Sequence, residues 1–181
     1  MKTGLMLALD AGIAGAGTAQ QPAPKPEPLR HVETRFNLMV HASYLDTAPL
    51  FGASGERAWA GANWNPDFIF PLPEKDVEGA VFTVSHGARK AVWVNTLFDM
   101  EAKHFQYVYF LPDIMVTVID VRFKSPDART TAVTVVYQRT AITSEGNEHV
   151  EVMSEGDRNA GKDWQQAIDS YHSVRKQTST P

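Results

Sequence analysis

From Thr34 onward the chain alternates between apolar and polar positions. Phe36, Leu38 and Val40 are apolar while Arg35, Asn37 and His41 are not, which predicts a strand buried on one face. "SYLDTAPLFG" follows. Ser43 can cap a short helix there, Asp46 falls in its first turn, and Gly52 can end the segment, with Leu45, Ala48 and Phe51 on one side. After Pro73 the period of two returns. "GAVFTVSH" and "AVWVNTLFD" flank Gly87 and predict a hairpin. "HFQYVYFL" places Phe105, Tyr107 and Tyr109 on one face, and Pro112-Asp113 marks a turn. In "MVTVIDVRFK", Thr117, Ile119, Val121 and Phe123 share the inward side, with Asp120, Arg122 and Lys124 opposite. "SPDAR" is a further turn, and "TTAVTVVYQRTAI" carries Val133, Val135 and Tyr137 on one face.

The period then changes. Val150, Met153, Gly156/Asp157, Ala160, Trp164, Ala167/Ile168 and Tyr171 recur every three or four residues, which predicts one long helix from about Asn147 to Arg175. Asn147 is its expected N-cap. Glu148 and Glu151 sit in its first turn and Arg175 and Lys176 near its end, as the helix dipole favours. Gly156 and Gly161 each cost such a helix about 1 kcal/mol relative to Ala. Small residues on its core-facing stripe leave room for a neighbouring element or a ligand.

Between the short helical run and the strands lies "GERAWAGANWNPDFIFP", with two tryptophans in a segment broken by Gly, Asn and Pro. Trp59 and Trp64 each bury a large ring and keep an N–H for a partner. Asn63, Asn65 and Pro66 favour a turn. The two indoles either cap a cavity or plug the end of the core.

The 181 residues suit one domain with tails, and 43% apolar content is enough for a core. Lys2, the apolar stretch "GLMLALDAGIAGAGTA" and the small residues ending at Ala19 have the order of a secretory signal, read as residues 1–19, although Asp10 is unfavourable inside it. The alternative is an N-terminal extension without regular structure. Residues 20–30 read as a Pro-rich tether, 31–176 as the folded domain, and 177–181 as a disordered tail. Export would place the protein outside the cytoplasm, secreted or periplasmic; without it the protein is cytoplasmic. No other run approaches the ~20 apolar residues of a membrane span.

A formal charge of -4 with no basic cluster gives no nucleic-acid footprint. The absence of Cys removes disulfides, thiolate nucleophiles and cysteine metal sites. The six histidines, His31, His41, His86, His104, His149 and His172, show no metal-ligand spacing. His86, before the hairpin Gly, is expected to be exposed, and His104 to make a surface contact with Asp99 or Glu101. Glu56 and Arg57 read as solvated surface charges, with a charge pair at a cavity mouth as the other reading. No nucleophile elbow, dinucleotide fingerprint, cofactor motif or catalytic constellation is present. What remains is aromatic: Trp59, Trp64, Trp93, Tyr107, Tyr109, Tyr137, Trp164 and Tyr171. Aromatic rings with polar tips fit either an amphipathic ligand or a hydrogen-bonded core.

The order is strand, two short helices, about five antiparallel strands and a long helix. It resembles the helix-grip fold of the START-like, or SRPBCC, superfamily. "FGASGERAWAGANWNPDFIFP", "AVWVNTLFD", "FQYVYFLP" and "TTAVTVVYQRTAITSEGN" followed by "WQQAIDSY" are similar to its bacterial members, over Arg35 to His172. The resemblance implies an α+β fold in which a curved antiparallel sheet of six to seven strands wraps a long C-terminal helix. It also implies a cavity beneath that helix for a small hydrophobic or amphipathic molecule. Trp59, Trp64, Trp93, Tyr107, Tyr109, Tyr137 and Trp164 are the expected ligand contacts, with no catalytic residue, metal or cofactor. Two other functions are compatible: a cyclase or aromatase using the same cavity, and a co-chaperone-like interaction module. The latter would have a filled cavity and an exposed apolar patch, and the mixed outer faces of the strands speak against it. The competing fold is the cone-shaped nuclear-transport-factor type, which ends on strands. A helical C-terminus separates the two.

Overall fold

A computed structural model describes residues 27–178; the expected signal sequence, most of the tether and the end of the tail lie outside them. Seven antiparallel strands form one sheet: β1 (His31–Val40), β2 (Asp67–Phe70), β3 (Val81–His86), β4 (Arg89–Asp99), β5 (His104–Leu111), β6 (Met115–Asp127) and β7 (Thr130–Ala141). Their order across the sheet is β1-β7-β6-β5-β4-β3-β2. Thus β2 to β7 follow the chain as a meander, and β1 closes on β7. Two short helices, α1 (Tyr44–Thr47) and α2 (Ala53–Glu56), flank a 3-10 turn at Ala48–Phe51, and α3 runs Ser144–Thr178. The edge strand β2 is "DFIF" of the tryptophan-rich segment, held between Pro66 and Pro71.

The predicted parity holds along the central strands. Phe82, Val84, Trp93, Phe105, Tyr107, Tyr109, Ile119, Val121, Val133, Val135 and Tyr137 all face one buried side. The helix α3 packs mainly on β1, with β7 and β6 next. It therefore roofs only one half of the inner face, and the inner face of β3 to β5 is left to the loop after α2. At the free edge of β1, Gln165 and Asp169 on α3 accept the backbone N–H groups of Met39 (3.0 Å) and His41 (2.9 Å). This pairs two of the donors that make an open edge a site of aggregation.

Three local expectations differ from the structure. The helix begins at Ser144, three residues before Asn147, and the Thr143 hydroxyl accepts the Gly146 N–H at 3.2 Å. Asn147 is instead buried inside the helix and grips the chain ahead of β1, accepting the Arg30 N–H at 2.8 Å and donating to Pro28 O at 3.2 Å. Leu45 is 74% exposed, because α1 is a single turn and only Thr47 within it is buried.

The two helix glycines differ in kind. A Cβ at Gly161 would meet Asn37 O of β1 at 2.7 Å, so this glycine lets α3 lie close on the edge strand. A Cβ at Gly156 would meet nothing within 4 Å. Gly156→Ala is expected to stabilise the fold by up to about 1 kcal/mol. Gly161→Ala is expected to destabilise it by about 1–3 kcal/mol, because the helix must lift. Urea unfolding of the two variants checks this; equal stabilisation by both would show that α3 does not sit where Gly161 places it.

Candidate functional site

Where the roof formed by α3 stops, a cavity of about 930 Å³ opens between sheet, helix and the loop after α2. Two aromatic walls bound it. On the helix side Trp164 meets Trp59 edge-on at 5.1 Å, with Phe51 behind both, at 6.1 Å from Trp59 and 6.4 Å from Trp164. On the sheet side Trp64 meets Trp93 at 5.4 Å and Phe82 at 6.3 Å, and Phe82 stacks on Trp93 at 5.8 Å. Ile119, Val121, Val135, Tyr107 and Tyr137 form the floor. Exposed Ala60, Ala62, Asn63, Asn65, Ser85 and Gly87 are the rim.

The tryptophan-rich segment can form a wall because its indoles are tied to the backbone of the preceding turn. Trp59 Nε1 donates to Leu50 O at 2.6 Å and Trp64 Nε1 to Ala53 O at 2.9 Å. The turn at Gly61, with φ 87°, carries the chain from one indole to the next. The cavity thus gets rigid aromatic surface from a non-regular segment, each ring with its polar atom already satisfied.

Inside the cavity the polar groups are few. Glu56, at the end of α2, points its carboxyl inward, and burial together with the nearby Asp76 charge holds its pKa well above the usual carboxylate value of 4.5. Asp76 accepts the Ser54 N–H at 3.2 Å and so caps α2 from across the loop. Burial pushes up the phenols of Tyr107 and Tyr137, and the Glu56 charge adds to the shift in both. Tyr107 donates to Phe51 O at 2.6 Å; the Tyr137 hydroxyl and the Glu56 carboxyl have no hydrogen-bond partner among the described residues. Trp93 Nε1 and His86 Nε2 are buried without one. Burial and then the Arg139 charge lower the His86 pKa, which favours the neutral ring.

Comparison with known proteins agrees with this geometry. No family model matches the sequence, and no curated protein matches it. Solved structures do. Norcoclaurine synthase from Thalictrum flavum, in complex with dopamine and hydroxybenzaldehyde, superposes with a TM-score of 0.59 at 10% identity, over 90% of this chain and 100% of that one. The chain has the helix-grip fold. Mll3558 from Rhizobium loti gives a TM-score of 0.56 at 16% identity, over 80% of this chain and 99% of that one. Ara h 8.0201 gives 0.53 at 11% identity, over 78% and 97%. At these identities the likeness concerns architecture alone.

Of the residues picked out by sequence, the helix-grip cavity brings together Trp59, Trp64, Trp93, Tyr107, Tyr137 and Trp164. Tyr109 is not in its wall. It lies behind Trp93, 4.4 Å away and stacked, with its hydroxyl accepting from Arg139 Nη1 at 2.6 Å. Tyr171 also lies outside it, near the end of α3.

Two residues of the wall carry more than the sequence reading allowed. Glu56 is not a solvated surface charge, and no pair with Arg57 forms. Arg57 turns away to Glu74, with Nη1–Oε1 at 2.6 Å and Nη2–Oε2 at 3.1 Å. His86 is half-buried rather than exposed, its ring parallel to Tyr109 at 6.0 Å. Both had a signal. Glu56 lies three residues before Trp59 on a helical turn, and His86 continues the inward parity of Phe82 and Val84. His104 contacts Asp120 across the outer face at 2.5 Å, rather than Asp99 or Glu101, and Arg122 Nε completes the cluster at 2.9 Å. Among the described residues no group of His, Asp and Glu is placed to hold a metal, and no helix is long and apolar enough to cross a membrane.

The Glu56 shift has a consequence for stability. An acid with a raised folded-state pKa binds its proton more tightly in the native than in the unfolded chain. Its contribution is present below the unfolded value and is lost as pH rises towards the folded one. Glu56→Gln is therefore expected to gain stability over the parent as pH rises above about 4.5 and to match it below. Melting temperatures of the two at pH 4 and pH 8 test this; a difference independent of pH would mean that Glu56 is solvated.

Proposed function

We propose that this protein binds a small apolar or amphipathic molecule, aromatic or lipid-like, in the cavity between the sheet and α3. The observation that carries the reading is the cavity itself. Its volume of about 930 Å³ lies in the ~300–1,000 Å³ range of small-molecule sites, and its lining is mainly aromatic and aliphatic with a few polar atoms. A packed aromatic core would have closed this space. The helix-grip neighbour solved with dopamine and hydroxybenzaldehyde supports small aromatic molecules as a ligand class.

Calorimetric titration with naphthalene-sized aromatics and medium-chain fatty acids tests the proposal. Val135 is fully buried in the cavity floor, so Val135→Phe projects a ring into the space. It is expected to leave the protein folded and to weaken binding by at least about tenfold. Unchanged affinity in a folded Val135→Phe variant would place the binding elsewhere.

Glu56 favours a second reading, an enzyme of the cyclase or aromatase kind in the same cavity. A carboxyl whose pKa burial raises, set beside two phenols, is equipped to donate a proton to a bound substrate. That reading expects Glu56→Gln to abolish conversion of a bound compound while retaining its binding; a protein that returns every bound compound unaltered excludes it.

A further inference from the structure

Among the described residues the cavity wall contains no lysine or arginine. Its acidic side chains are Glu56 and Asp163, and burial lowers the pKa of His86, which favours the neutral ring. The two nearest arginines are already committed. Arg57, next to Glu56 in sequence, is held by Glu74 and by Pro66 O. Arg139, behind Tyr137, is held by both carboxylate oxygens of Asp157. The Asp76 carboxyl is a second acidic group beside Glu56 and is fixed there by the α2 backbone. The cavity end nearest Glu56 therefore carries acidic groups and, among the described residues, no free cation to balance them.

Two groups at that end lack a partner. The Glu56 carboxyl has none, and neither has the hydroxyl of Tyr137, a residue only 8% exposed. Around them stand the faces and edges of four tryptophans, Trp59, Trp64, Trp93 and Trp164. Aromatic faces attract a cation through the ring quadrupole, and more strongly once water is excluded. A buried carboxyl without a counter-ion takes up a proton, whereas the same carboxyl with a counter-ion ionises.

Resting on the binding function proposed above, we propose that the ligand is a cation: an amine carried on an aromatic or alkyl body, whose ammonium pairs with Glu56 and the Tyr137 hydroxyl inside the tryptophan walls. A counter-ion beside Glu56 lowers the raised pKa that burial gives its carboxyl, so binding releases protons from Glu56. Affinity then rises with pH until the amine itself deprotonates. The groups facing Glu56 agree with this direction. Asp76 ahead of β3, Tyr107 on β5 and Tyr137 on β7 are acidic or neutral, Asp163 on α3 is exposed in the cavity wall, and the Arg139 guanidinium against the Tyr137 ring is already paired with Asp157.

The test is calorimetry with a matched pair, 2-(2-naphthyl)ethylamine and 2-(2-naphthyl)ethanol, at pH 6 and pH 8 and in two buffers of different ionisation heat. The amine is expected to bind at least about tenfold more tightly than the alcohol, with proton release that the two buffers reveal. Glu56→Gln should abolish the proton release and weaken amine binding by about thirtyfold or more, removing the advantage of the amine over the alcohol. Equal or tighter binding of the alcohol, without proton release, would overturn the cation proposal and leave the small-ligand reading standing. Failure of both compounds, and of neutral aromatics and fatty acids, would overturn both.

Discussion

Replacing Arg139 by Met is expected to destabilise the protein by about 3–5 kcal/mol, the largest effect of any single polar substitution in the fold. The side chain is 3% exposed and lies between β7 and α3. Its Nε and Nη2 donate to the two oxygens of Asp157 at 2.8 and 2.7 Å, and its Nη1 donates to the Tyr109 hydroxyl at 2.6 Å. The Thr34 hydroxyl donates to the same carboxylate at 3.1 Å, and the Tyr137 ring stacks under the guanidinium at 4.5 Å. Three strands and the roofing helix thus meet at one ion pair. Removing the cation alone leaves Asp157 buried and uncompensated, and that penalty exceeds the attraction lost. The double variant Arg139→Met/Asp157→Leu removes both charges and is expected to recover most of the loss. Denaturant unfolding of the two singles and the double gives the coupling directly. A single variant within about 1 kcal/mol of the parent, or strict additivity, would mean that the pair is hydrated.

A second large loss, about 3–5 kcal/mol, is expected for Phe51→Ala. Phe51 is 1% exposed and belongs to the 3-10 turn between α1 and α2. Its ring packs edge-on to Phe123 at 5.3 Å and supports Trp59 and Trp164 from behind. Its carbonyl receives the Tyr107 hydroxyl. The substitution keeps the carbonyl, so its effect reports the ring. It also removes the backing of one cavity wall, and ligand affinity should fall together with stability. Phe51→Leu, which retains most of the volume, should cost much less. If the Ala variant unfolds with the midpoint of the parent, the short-helix segment does not belong to the cooperative core.

Much of this architecture was legible because strand parity is a local signal. Once Phe105, Tyr107 and Tyr109 alternate with His104, Gln106 and Val108, a sheet with one buried face follows. The change of period after Ile142 made the long helix equally plain, and its helical state separates this fold from the nuclear-transport-factor type. The start of that helix was misplaced because Asn147 has the chemistry of a cap. Its side chain is instead used by Arg30 and Pro28, which are distant in sequence. The Arg139–Asp157 pair had a visible half, since Arg139 continues the inward parity of Val133, Val135 and Tyr137. Which acid would meet it depended on how α3 lies on the sheet.

Glu56 shows the limit most clearly. Its environment depends on Asp76, twenty positions away, and on Arg57 turning to Glu74. None of these placements is encoded in the neighbouring residues. The outer face of the sheet is mixed in character, as the strand parity predicts. Val81, Val94, Val108 and Val118 pair in register across β3 to β6 as a half-buried apolar row, while Asp67 on β2 pairs with Lys90 on β4 and Asp120 with Arg122 on β6.

The most direct test of ligand binding is native mass spectrometry of the protein purified from its own host, with denaturing extraction of whatever is bound. Occupancy of the tryptophan-walled cavity predicts a discrete small-molecule adduct that Val135→Phe carries at markedly lower occupancy. An adduct-free protein that also shows no thermal shift across a panel of aromatic amines, neutral aromatics and fatty acids would contradict it.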